Sequence, residues 1–197
     1  MSGDISRDEL VGDAFDLELS ASPNIGIQDC LPAVYGGFNV YGIGKDGLVE
    51  AVSLPKRAWE IVNEYGMLLY TGRNRDANSI LPNFSTRNAK QKIYDIHSLA
   101  RKAAGCSWDD LDEIVDLLNE SWFAKSKIDG VVDEGLKNQY WVAMCAGALA
   151  GKLCGAGQGG CWFFLVPHDR REGVSDALNL REIPFAIESN AVEEYAI

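Results

Sequence analysis

The sequence predicts an α+β fold in which an antiparallel sheet is covered by helices on one face. Three observations carry that expectation. The runs FNVYGI and LVEAV flank Gly44-Lys45-Asp46-Gly47, a strong hairpin signal. Two further apolar runs, Met67-Leu68-Leu69-Tyr70 and CWFFLV, are short and read as buried strands. Longer segments with apolar residues at helical spacing lie between them, so helices and strands interleave.

Ser6 followed by Glu9 makes a capping box, and Leu10, Ala14 and Leu17, joined by Val11 and Phe15, recur at helical spacing. The chain is therefore expected to open on an amphipathic helix through about residue 19. The turn formers of SPNIGIQD come next, then the hairpin. A helical stretch over residues 56 to 64 leads into the MLLY strand, which ends at Thr71-Gly72. From residue 76 to 150 the pattern is helical, with breaks near Pro82, at Ala104-Gly105 and around Asp129-Gly130. Ser107 with Asp110 caps a segment whose Leu111, Ile114, Val115, Leu118 and Trp122 form one apolar stripe against a solvated acidic face. Leu136, Tyr140, Ala143, Met144 and Gly147 mark another helix, and the small residues of AGALAG would let it pack closely. GAGQGG, the strand CWFFLV, a helix of some ten residues from Asp169 and a last strand around Ile183 to Ile187 complete the order.

Composition narrows the function. With 197 residues, 47% hydrophobic and 24% charged, the chain is long enough to bury a sizeable core. A formal net charge of -11 repels polyanions and argues against a nucleic-acid partner. No apolar run reaches the roughly 20 residues that span a bilayer, and MSGDISRDEL lacks the basic start and apolar core of a signal peptide, so a cytoplasmic location is expected. Cys30, Cys106, Cys145, Cys154 and Cys161 are widely spaced with no CxxC pair, which fits reduced thiols; Cys145, Cys154 and Cys161 are expected in the core. His97 and His168 have no second ligand at metal spacing, and no metal site is expected.

Chemistry concentrates in two places. Gly155-Ala156-Gly157-Gln158-Gly159-Gly160 holds four glycines in six positions, so its backbone must adopt positive φ or approach something closely. That is either a tight turn or a loop whose N–H groups face a phosphate or a sugar. It is neither a Walker loop, since no Gly-Lys-Ser/Thr follows, nor a Rossmann fingerprint, since a strand comes next. Asp29, in Gly26-Ile27-Gln28-Asp29-Cys30, is either a helix cap or a carboxylate held for acid-base work.

These residues resemble a family. GIQDCLPAVYGGF is similar to the segment of galactokinases and heptose kinases that carries the catalytic aspartate, LLYTGRNRDA to the heptose-kinase strand and turn, and GALAGKLCGAGQGGCWFFLVP to the third motif of the GHMP superfamily. ALNLREIPFAIE resembles the closing segment of D-glycero-D-manno-heptose 7-phosphate kinases. The resemblance covers nearly the whole chain and implies residues 1–55 as the end of a GHMP N-terminal domain and 56–197 as the C-terminal domain. It implies transfer of the γ-phosphoryl of ATP, with Mg2+, to a sugar or sugar phosphate, the anomeric hydroxyl of a heptose 7-phosphate being favoured. Asp29 matches the catalytic aspartate. Gly155, Ala156, Gly157, Gly159 and Gly160 match the loop that closes on the phosphate and substrate region. Thr71, Arg73 and Arg75 match the YTG turn, where an arginine is suited to a sugar phosphate or is simply solvated.

Two positions depart from the pattern: Cys30 stands where the family usually has glutamine, and Gln158 where it commonly has glycine. The family's Gly-Leu-Gly-Ser-Ser phosphate loop has no counterpart in these residues. The first helix matches the one just beyond that loop, so the sequence is expected to start inside the fold. The kinase reading therefore expects either a separately encoded N-terminal half or a chain that is a truncated fragment of such a gene, with self-association and weak ATP binding by this chain alone. The alternatives are a catalytically inactive, kinase-derived binding or interaction domain, and an interaction domain whose Gly-rich turn is purely structural.

Overall fold

The computed structural model describes residues 6–21, 26–44, 49–74, 87–187 and 190. The expected hairpin turn at residues 45 to 47, the break near Pro82 and the site residue Arg75 lie outside them. The chain divides into two compact units, one taking in the described residues up to Leu54 and from Ala186 on, the other Pro55–Phe185.

The first unit starts with helix α1 (Arg7–Ala21). The capping box is present: the Ser6 N–H and hydroxyl donate to Glu9 Oε2 (2.9 and 2.8 Å), and the Glu9 N–H donates to Ser6 Oγ at 3.2 Å. Those bonds from Ser6 hold the Glu9 carboxyl below its ordinary pKa. Val11 is buried and Leu10, Ala14 and Phe15 pack around it, but Leu17 is 73% exposed, so the apolar stripe is shorter than its spacing predicts. A 3-10 turn (Ile27–Asp29) leads into the short helix α2 (Cys30–Tyr35), whose Cys30, Leu31 and Val34 meet Val11. Strands β1 (Asn39–Ile43) and β2 (Val49–Ser53) pair antiparallel, Asn39 opposite Ser53 and Ile43 opposite Val49, as the hairpin signal requires.

The second unit holds α3 (Lys56–Tyr65), β3 (Gly66–Tyr70), α4 (Arg87–Ala104), α5 (Leu111–Ser126), α6 (Glu134–Ala146), β4 (Ala150–Leu153), β5 (Cys161–Leu165), α7 (Arg171–Leu178) and β6 (Arg181–Glu182). Its four strands form an antiparallel sheet in the order β4-β5-β3-β6. Met67, Leu69, Leu153, Trp162 and Phe164 on one face bury against Trp122 of α5, Leu136, Tyr140 and Ala143 of α6, and Val174 of α7. Trp122 and Trp162 meet edge to face at 4.8 Å, a favoured aromatic geometry. The polar tips are bonded: the Tyr140 hydroxyl donates to Asn119 and the Trp162 indole to Gln139. On the other face Ala150 and Leu165 pack with Ile61 of α3 and Ile114 of α5, so helices reach both faces rather than one.

The structure departs from the sequence reading at four further points. AGALAG does not simply continue a helix: Gly147 ends α6 in the left-handed region at φ 112, and the same small residues then run into β4, which periodicity had not revealed. The cap of α5 is Asp110, which accepts from the Asp112 N–H; Ser107 bonds Asp109 and Glu113 instead. The last strand is Arg181–Glu182, opposite Leu69 and Tyr70 of β3, with one more bond from the Ile183 N–H to Leu68 O at 2.8 Å; residues 184 to 187 do not continue it. Cys145 is exposed, and Cys154 and Cys161 are half-buried; all five cysteines are thiols.

Candidate functional site

The loop at residues 155 to 160 joins the antiparallel strands β4 and β5. The Cys154 N–H donates to Cys161 O at 2.8 Å and closes its base. Its glycines are needed for close approach, and the nearest partner is the chain's own backbone. Gly157 has φ +124, and a Cβ there would lie 2.4 Å from Val131 O; a Cβ on Gly159 would lie 2.7 Å from Arg73 O. Between them Gln158, the departure from the usual glycine, takes a left-handed conformation at φ 57. Its N–H donates to Val131 O (2.8 Å) and its side-chain amide to Gly130 O (2.5 Å). Those bonds compensate for a conformation that glycine would adopt without strain.

The turn after β3 is locked to the same loop. The Thr71 N–H and hydroxyl both donate to Gly160 O, at 2.9 and 2.8 Å, and the Gly160 N–H donates to Arg73 O at 3.1 Å. Thr71 is buried at 4% exposure. Two motifs 89 residues apart thus form one assembly. The Arg73 guanidinium is ion-paired with Asp133, whose other carboxylate oxygen accepts the Leu136 N–H at 2.8 Å and caps α6. The bond from the Leu136 amide, followed by the one from Arg73, holds the Asp133 carboxyl below the usual range. A phosphate arriving at Arg73 would have to share it with Asp133.

Asp29 lies in the first unit, exposed, at the residue before α2. Its side chain makes no capping bond, so the helix-cap reading of this residue is not what the structure holds. Its neighbour Cys30 is buried, and desolvation, helped by the charges of Glu18 and Asp29, pushes that thiol's pKa up.

Three participants escaped the sequence reading. Asp133 had a local signal, an acidic residue three positions before the first apolar residue of a helical pattern. Gln158 stands out in the sequence only as a departure from glycine, and its bonds to Val131 and Gly130 have no local signal. Lys125 is 7% exposed, and its ammonium donates to Leu153 O at 2.8 Å and to Gly155 O. It falls three residues after Trp122, on the stripe that begins at Leu111, and that position was its one available signal. Among the described residues no helix is long and apolar enough to cross a membrane, and no group of three His, Cys, Asp or Glu side chains is placed to hold a metal.

Comparison with known proteins adds the following. Residues 96–182 match the family model for the C-terminal domain of GHMP kinases. The chain is 28% identical over 162 residues to the D-glycero-alpha-D-manno-heptose 7-phosphate kinase of Campylobacter jejuni, an alignment taking in 78% of this chain and 48% of that protein. It spans about half the length of that curated relative. Its fold is similar to a D-glycero-D-manno-heptose 1-phosphate kinase from Bacteroides thetaiotaomicron, with TM-score 0.68 and 23% identity over 99% of this chain and 58% of the other. L. major mevalonate kinase, solved with R-mevalonate, gives TM-score 0.68 and 19% identity over 96% and 60%. Lactococcus lactis galactokinase, solved with galactose, gives 0.64 and 18% over 96% and 62%. At such identities these three likenesses establish the fold alone.

Proposed function

We propose, for a chain whose residues 96–182 form a GHMP kinase C-terminal domain, that it serves ATP-dependent phosphorylation of a sugar or sugar phosphate, with the anomeric hydroxyl of a heptose 7-phosphate as favoured acceptor. The observation that carries this reading is the joining of the Thr71–Arg73 turn to the loop at residues 155 to 160 through Gly160. A turn and a loop tied in this way make a rigid platform on which a phosphate-bearing ligand can rest.

The loop fits such a ligand in one further respect. The amides of Gln158 and Gly160 are used internally, whereas those of Ala156 and Gly159 donate to no backbone carbonyl among the described residues. Amides of this kind are suited to phosphate oxygens. Arg73 would add a planar cation at the edge of the platform. ATP with magnesium, when bound, would supply the γ-phosphoryl group and offset its charge. Asp29 would orient or accept the proton of the attacking hydroxyl, a role its exposure leaves open to a substrate.

The nucleotide's phosphate loop would come from polypeptide outside these 197 residues, because no Gly-Leu-Gly-Ser-Ser segment occurs among them. The chain would then work together with an N-terminal kinase half, whether joined to it in one polypeptide or separate. The direct test is to coexpress it with such a half, isolate the pair and follow ATP-dependent formation of heptose 1,7-bisphosphate. An isolated pair that forms no phosphorylated product from heptose 7-phosphate or galactose sinks the kinase reading.

A further inference from the structure

We propose that Lys125 is the positioning residue of the loop at residues 155 to 160: its ammonium, seated on two backbone carbonyls at the loop's root, fixes the conformation in which the loop meets its ligand. The ligand-facing role of the loop is the one argued under Proposed function, and the positioning claim is built to be tested apart from it.

Among the described strands β4 lies at the edge of its sheet, paired on one side with β5. Strand edges present carbonyls that need donors. Helix α5 supplies them: Asn119 Nδ2 donates to Leu149 O at 3.1 Å, just before the strand, and Lys125 Nζ donates to Leu153 O at 2.8 Å and to Gly155 O, at its end and just past it. The two lysine-bound carbonyls flank Cys154, whose N–H makes the closing bond of the hairpin. The ammonium therefore grips the chain where strand becomes loop. It sits in the last turn of α5, where the helix dipole favours a cation.

The tip of the loop is held from the same place. Lys125 O accepts the Ile128 N–H (3.1 Å), and Ile128 O accepts the Val131 N–H (3.2 Å), which builds the turn following α5. Gln158 bonds the Val131 and Gly130 carbonyls of that turn. Root and tip are thus both fastened to the end of one helix. Burying an ammonium is costly unless bonds replace its hydration, and a leucine at the same stripe position would bury more cheaply. What the lysine adds is direction: a charged donor selects where two carbonyls point, and an apolar side chain does not.

The test uses the full chain with Lys125→Met, Lys125→Gln and Lys125→Arg. Hydrogen exchange of peptides covering residues 154 to 161 reads the loop, peptides of α6 read the rest of the fold, and titration with heptose 7-phosphate, followed by tryptophan fluorescence, reads the ligand. The Met and Gln variants are expected to exchange loop amides at least about tenfold faster, with α6 within about twofold of the parent, and to bind at least about tenfold more weakly. Arginine, which keeps the charge, should bring both readings back to within about threefold. Should the Met variant fail to fold, the Gln variant carries the comparison. The proposal is overturned if loop exchange stays at the parental rate, if all peptides accelerate together, or if a loosened loop binds as the parent does. A parent chain that does not bind heptose 7-phosphate counts against the kinase reading instead, and exchange over residues 154 to 161 still decides whether Lys125 positions the loop.

Discussion

Thr71 donates twice to a single acceptor: its backbone N–H at 2.9 Å and its hydroxyl at 2.8 Å both reach the carbonyl oxygen of Gly160. The hydroxyl also accepts the Arg73 N–H at 3.3 Å. One buried oxygen therefore holds the turn after β3 both to itself and to the end of the Gly-rich loop. Thr71→Val keeps the shape and removes that oxygen. The expected cost is about 1 to 2 kcal/mol, since two hydrogen bonds are lost but Gly160 O retains its amide donor. Denaturant unfolding measures it, and an unchanged midpoint would show that the hydroxyl is not needed.

Gly157 sits where a side chain has neither room nor a permitted backbone conformation, with φ +124 and Val131 O 2.4 Å from a would-be Cβ. Gly157→Val should destabilise the second unit by about 2 kcal/mol or more, because either the loop or the turn at Val131 must move. In protein that remains folded, the ligand-facing reading also expects weaker heptose 7-phosphate binding. Parental binding by a folded variant would leave the loop with a structural role alone.

Asp29 is exposed and makes no capping bond, so replacing it should leave stability within about 0.5 kcal/mol. If a complementing N-terminal half gives the proposed kinase activity, Asp29→Asn is expected to lower turnover by about 100-fold or more with ATP affinity nearly unchanged, because the amide keeps the shape but cannot take the proton. Turnover within a few fold of the parent removes Asp29 from the mechanism.

Asp133 predicts a dependence on pH. Its carboxyl is held below its ordinary pKa, first by the Leu136 N–H and then by Arg73. A group whose folded pKa is depressed contributes stability above its unfolded pKa, and that stability is lost as pH falls through the folded value. Asp133→Ala should cost about 1 kcal/mol at neutral pH through loss of the cap. The gap between parent and variant should close progressively below the ordinary carboxylate range. A gap of equal size at neutral and strongly acidic pH would mean that the ionised form is not what matters.

The β1–β2 pair bears on the proposed partner. Val52 is 54% exposed and lies opposite Val40, on the face away from Tyr41 and Val49, which pack with α2. A two-stranded sheet is marginal by itself. Its amides should exchange rapidly in the isolated chain and gain at least about tenfold protection when the N-terminal half is added. Unchanged exchange in the isolated pair would exclude this hairpin from the joint surface.

The sequence by itself determined what lies within reach of neighbouring residues. The Ser6–Glu9 capping box closes over three positions, the β1–β2 pairing follows from two apolar runs four residues apart, and the Met67–Tyr70 and Cys161–Leu165 strands declare themselves by length and apolar content. Four glycines in six likewise announced close approach before the partner was known. Tertiary structure alone decided what was approached and how it was held. Val131 and Arg73 crowd Gly157 and Gly159, Thr71 meets Gly160 across 89 residues, and Lys125 is buried because Leu153 and Gly155 present carbonyls 28 and 30 residues further on. β4 belongs to the same class, since Ala150 and Gly151 carry no strand pattern and become a strand through pairing with Leu165 and Phe164. The physical reason is common to all of them. Periodicity and capping are written in side chains a few residues apart, whereas the burial of a charge or the pairing of an edge depends on which distant segments the sheet order brings together.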